Sequence, residues 1–71
     1  MSKFSKRLKE LRKANDMSQQ ELSIKLNCQI TQPAIARWEN EERVPNLDAV
    51  IILAKFFNVS LDYLAGLTDF K

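Results

Sequence analysis

The sequence predicts a compact all-α domain of five short helices, and three observations predict it. A single glycine and two prolines leave little material for hairpins or long loops. Apolar residues recur at three- and four-residue intervals through successive stretches, the period of a helix with one buried face. Most of those stretches open on Ser, Thr or Asn, the residues that cap helix N-termini. Hydrophobic residues make up 45% of the chain and charged residues 28%, a balance that suits a packed globule and not a disordered tail. With 71 residues the chain is one small domain, near the size at which only about 60% of the unfolded surface is buried, with no room for an ordinary active-site cleft. Residues 1–66 form that domain and residues 67–71 a C-terminal tail.

Phe4, Leu8 and Leu11 stand at i, i+4 and i+7, which predicts an amphipathic helix over residues 3–14. Ser2 is its cap, and Arg12 and Lys13 occupy the negative end of its dipole. Asn15 and Asp16 break the chain before a capping box, Ser18 to Glu21, in which the hydroxyl accepts from the N3 amide and the carboxylate from the cap amide. Met17 and Leu22 are spaced as a hydrophobic staple across it. The second helix covers residues 18–27, with Leu22 and Leu26 inward and Ser23 small enough to admit a neighbouring helix. Asn27 ends it, because Asn tolerates the left-handed conformation. The third helix begins at Thr31 or Gln32. Pro33 suits a first turn and pushes its predecessor out of the helical region, which makes Gln32 one candidate cap and leaves Thr31 the other. Ile35 and Trp38 define the inward face, and Gln32, Ala36, Arg37 and Asn40 fall elsewhere on the cylinder. After a loop over residues 41–46, Asn46 caps a fourth helix whose inward face is Leu47, Val50, Leu53, Ala54 and Phe57. Asn58 ends it. Ser60 caps a last short helix with Val59 and Leu64 as its staple, and Gly66 stops that helix.

Composition narrows the chemistry. One cysteine, Cys28, allows no internal disulfide, and without histidine there is no Cys/His zinc set, so neither metal nor cofactor is expected. Cys28 reads as a part-exposed thiol in the turn after the second helix. No nucleophile has a partner base, so an enzyme is not expected. The N-terminus is a basic amphipathic run without the apolar segment of a signal peptide, and the longest apolar block, residues 49–54, is far too short to span a membrane. A cytoplasmic protein is the expectation. The net charge of +2 says less than its distribution: Lys3, Lys6, Arg7, Lys9, Arg12 and Lys13 meet a single acid, Glu10, in the first helix.

Five pieces then fall in order along the chain: L-K-E-L-R-K at 8–13, M-S-Q-Q-E-L at 17–22, I-A-R-W-E-N at 35–40, V-P at 44–45 and N-V-S-L-D-Y-L at 58–64. At these residues the chain resembles the Cro/cI-type phage repressors and their bacterial relatives, the XRE family. No piece is specific alone, but together they cover nearly the whole chain. The resemblance implies a five-helix repressor-like domain whose second and third helices form a helix-turn-helix. It further implies a third helix that reads the major groove of double-stranded DNA, and a homodimer that represses transcription from a two-fold-related site. It also implies an ion pair between Arg12 and Glu39. The sequence departs from the family in two places. The N-C-Q-I connection is longer than the usual Gly-containing turn, and Glu41 and Glu42 stand where small or basic residues are usual.

Carried over residue by residue, base contacts fall to Gln32 and Pro33 at the start of the third helix and to Arg37. Side-chain chemistry agrees for two of them, since Gln pairs with N6 and N7 of adenine and Arg with O6 and N7 of guanine. Pro33 offers only apolar contact, to a thymine methyl. Contacts to the DNA backbone fall to Gln19, Thr31, Asn40 and Arg43. Trp38, three residues from Ile35, reads as core and not as a stacking platform for single strands. Ile52 and Phe56 lie four apart on the fourth helix and are expected to face outward, which makes them the expected dimer contact. The alternative from another class is a small helical protein-interaction module such as an antitoxin-like domain. Donors at the first turn of the third helix favour DNA over it.

Overall fold

The computed structural model describes residues 3–71, and five α-helices account for most of them: α1 (Lys3–Ala14), α2 (Gln19–Lys25), α3 (Gln32–Glu39), α4 (Leu47–Phe57) and α5 (Leu61–Ala65). No strand occurs among the described residues. The cap expected at Ser2 lies outside them. The other starts are set by side chains: Ser18, Asn46 and Ser60 accept from the amides of Glu21, Ala49 and Tyr63, and the Ser18–Glu21 capping box is complete. The third start decides between the two caps the sequence offers. Thr31, not Gln32, is the cap; it is extended and accepts from the Ala34 amide at 3.4 Å, while Gln32 and Pro33 are already helical. The restriction that proline places on its predecessor is a bias only. In the first turn the missing amide is one that no helix bonds anyway, so the cap wins.

All five helices end in the same way. At each C-terminus an amide bonds back five residues and the one before it bonds back three, as in Met17 to Arg12 with Asp16 to Lys13, or Leu67 to Asp62 with Gly66 to Tyr63. The motif needs a left-handed residue, and Asp16, Asn27, Glu41, Asn58 and Gly66 supply it. Only the last is glycine. At Gly66 nothing else fits easily, because a Cβ there would stand 2.8 Å from the Cβ of Lys3.

Each helix gives one side chain to a centre that solvent does not reach: Leu8, Leu22, Ile35, Leu53 and Leu64, all 0% exposed. Around them α3 packs on α2 and α1, and α5 packs on α1 and α4, so α1 joins the two halves. Phe4 meets Trp38 edge-on, with ring centroids 6.1 Å apart, and the Ser5 hydroxyl donates to the Trp38 carbonyl. Trp38 is core, as its spacing predicts.

Two expectations for α4 are overturned. Leu47 is exposed and Ala49 is buried. At about 100° per residue Leu47 lies about 120° around the helix from Leu53 and Ala49 only about 40°. Ile52 does not face outward: it is half-buried, packs on the core and borders a cleft with Thr31, Ala34 and Trp38. Phe56, at the last turn, is 38% exposed.

Arg7, counted in the sequence only as one of the basic residues of the first helix, lies in the interior. Its guanidinium lies 4.1 Å from the centre of the Tyr63 ring and donates to the carbonyls of Tyr63 and Thr68 and to the Asp69 carboxylate. The Ser60 amide donates to the Lys71 carbonyl at 2.7 Å. Residues 67–71 are thereby folded back against α1 and the start of α5. Among the described residues no helix is long and apolar enough to cross a membrane.

Candidate nucleic-acid interface

The hand-off from α2 to α3 is pinned at both ends. Asn27 and Cys28 are both left-handed, and their amides close the end of α2 on Ile24 and Ser23. The buried Ser23 hydroxyl donates to the Ile30 carbonyl at 2.7 Å, and the Ile30 side chain is shut into the core. The extra length of this connection therefore carries a core residue. With Leu22 and Ile35 buried beneath, the first turns of α2 and α3 come side by side and bring Gln19 to Gln32.

A chain of hydrogen bonds runs through this junction. Arg12 grips Glu39 with two parallel bonds of 2.8 Å, Nε to Oε2 and Nη2 to Oε1, and its Nη1 donates to the Met17 carbonyl. The Glu39 side chain is only 3% exposed. Burial pushes its carboxyl upward, but the bonds from Arg12 and then from Gln19 outweigh it, and the pKa ends below the ordinary carboxylate value. The bond to Glu39 in turn raises the pKa of Arg12. Gln19 donates from Nε2 to Glu39 Oε1 at 3.2 Å and accepts at Oε1 from Gln32 Nε2 at 2.9 Å. Gln32 thus has one N–H fixed, which leaves its other N–H and its carbonyl as the donor and acceptor pair that matches N7 and N6 of adenine. Gln19 keeps its second N–H uncommitted among the described residues.

Pro33 and Thr31 flank Gln32 and are exposed, with the Thr31 hydroxyl committed to its cap bond. Arg37 is further along α3, exposed and without an ion pair among the described residues. Asn40 is the exposed C-cap of α3. Arg43 is exposed in the loop beyond, where it borders a groove with Phe4, Val44 and Ala65, away from the Gln19–Gln32 pair. Phe56 is on the last turn of α4 and is 38% exposed. Among the described residues no three Cys, Asp or Glu side chains converge as a metal site requires.

A helix-turn-helix family model matches residues 8–64, which takes in the whole α2–α3 unit and its supporting helices. The chain belongs to the Cro/cI-type helix-turn-helix family. Curated relatives of this helix-turn-helix chain carry names to match. The uncharacterized HTH-type transcriptional regulator YobD of Bacillus subtilis (strain 168) is 38% identical over 66 residues, 93% of this chain and 57% of that protein. The HTH-type transcriptional regulator ImmR of the same organism is 39% identical over 63 residues, 89% of this chain and 48% of that one. The HTH-type transcriptional activator BcrR of Enterococcus faecalis is 31% identical over 61 residues, 86% of this chain and 29% of its own length. The helix-turn-helix chain spans about half the length of the relatives it matches, or less.

Proposed function

We propose that this helix-turn-helix domain binds double-stranded DNA sequence-specifically, reads the major groove with α3 and regulates transcription as a repressor. The observation that carries the reading is the Gln19–Gln32 bond. It fixes the Gln32 amide at the first turn of α3 with one donor and one acceptor unspent, beside the exposed Arg37. A protein-binding face has little use for a pre-oriented amide; an adenine edge matches it. Gln32 and Arg37 are the base readers and Pro33 an apolar neighbour, while Gln19, Thr31, Asn40 and Arg43 hold phosphates.

The domain acts as a homodimer on a two-fold site. Ile52 leaves the expected contact because it faces the α3 side, whereas Phe56 stays. Leu61, Leu67 and Phe70 are also exposed, and the bonds from Ser60 to Phe70 and Lys71 bring the tail beside the start of α5. These exposed apolar side chains lie on α4, α5 and the tail, outside the α2–α3 unit. Two reading helices can then sit about 34–36 Å apart on one side of the duplex.

Selection of bound duplexes from a random pool tests the reading. The expected product is a pair of inverted half-sites about ten base pairs apart, each with an adenine and a guanine at fixed positions. A pool with no enriched sequence overturns it. A promoter reporter separates repression from activation, the direction named for BcrR.

A further inference from the structure

The reading elements are poor in the charge that a DNA ligand demands. From Ser18 to Arg43 the cations are Lys25, Arg37 and Arg43, and the acids are Glu21, Glu39, Glu41 and Glu42, so this stretch is slightly negative. α1 is the reverse, with six cations and only Glu10 against them. Its two arginines are spent inside the protein, on Asp69 and Glu39. Its lysines, Lys3, Lys6, Lys9 and Lys13, are all exposed, and none is ion-paired among the described residues.

Position makes this more than a solvated face. Lys6, Lys9 and Lys13 lie at i, i+3 and i+7, on one side of α1, and border a single surface depression with Glu10 of the same helix and Glu39 of α3. Glu39 holds Gln19, and Gln19 holds Gln32. The lysine row therefore starts at the back of the hydrogen-bond chain that orients the reading helix. It extends about 10 Å at 1.5 Å per residue, while one DNA strand offers a phosphate about every 3.4 Å of axis. Three flexible ammonium groups on such a row can meet three successive phosphates, each as a point charge that needs no fixed orientation.

We infer that Lys6, Lys9 and Lys13 form a second contact track for the DNA backbone, on phosphates that flank the base pairs read by α3, and supply most of the counterion release on binding. The inference rests on the DNA reading above. The experiment is a salt titration of affinity, by fluorescence anisotropy, on the selected duplex with wild type, a Lys6→Gln/Lys9→Gln/Lys13→Gln variant and a Lys55→Gln/Lys71→Gln control. The triple variant should flatten the log–log salt slope by about 2.7, at about 0.9 per phosphate, so that its affinity deficit shrinks about 40-fold between about 50 and about 200 mM salt. Base preference should not change. A duplex trimmed flush with the half-site should flatten the wild-type slope equally, which tests the track without any substitution. An unchanged slope, or equal flattening by the control variant, overturns the inference alone. A wild type that binds no duplex removes the DNA reading and the inference with it.

Discussion

The four arginines of this chain divide by what holds them. Arg7 and Arg12 are buried and fully engaged, while Arg37 and Arg43 are exposed and have no ion pair among the described residues. The same substitution should therefore have opposite signatures. Arg37→Ala should leave the melting temperature nearly unchanged, cost about 1–3 kcal/mol of binding to the preferred site, and relax base preference at one position of each half-site. Arg43→Ala should weaken all sequences alike and lower the salt slope by about one. Competition binding against a panel of single-base site variants separates the two, and an Arg37→Ala protein with intact affinity and preference would remove α3 from the proposed groove. A different residue-scale test concerns Gly66. Gly66→Ala forces a side chain into a left-handed position and against Lys3, and should lower stability by about 1–3 kcal/mol in urea unfolding.

At the scale of the helix, α3 is fastened to α1 and α2 through one carboxylate. Glu39→Ala strands the Arg12 charge in the interior and should cost about 3–5 kcal/mol, whereas Glu42→Ala, on the exposed loop, should cost little. Similar small losses from both would reduce Glu39 to a surface acid. Because the Glu39 pKa is lower folded than unfolded, its stabilisation is fully present above the ordinary carboxylate range and is lost as pH falls through the depressed value. Glu21 has the same sign, held down by its bonds to Ser18 in the capping box. Melting temperature should thus drop on acidification, and Glu39→Gln should flatten that drop; an equally steep acid limb in the variant would place the titration elsewhere. Most helix boundaries were legible because caps are local: Ser18, Asn46, Ser60, Asn58 and Gly66 each act within a turn of themselves. Glu41 was not, since glutamate has no left-handed preference and is held there by the end of α3. Arg7 had a signal, because it shares the face of Phe4 and Leu11, but its partners lie more than fifty residues away. The Gln19–Gln32 bond had none, because it depends on how two helices meet.

For the whole molecule, the apolar residues left outside decide how copies meet. Leu67 and Phe70 are 78% and 84% exposed, although their backbone is tied down through Arg7 and Ser60. Phe56→Lys with Phe70→Lys should keep the fold and binding to one half-site, and abolish cooperative binding to two. Ile52→Lys should instead lower stability, since that side chain packs on the core. Sedimentation and gel-shift titration on one and two half-sites would tell them apart, and undiminished cooperativity in the double variant would move the contact off this face. The five sealed side chains at the centre, one from each helix, carry a further consequence. Lifting any helix away uncovers a sealed side chain and opens a void in the shared cluster, so the five helices should unfold as one cooperative unit. Amides in the middle of all five helices, even the five-residue α5, should exchange with solvent through one shared opening whose free energy equals that of global unfolding, so that a single substitution such as Leu64→Ala accelerates exchange in α2 as much as in α5.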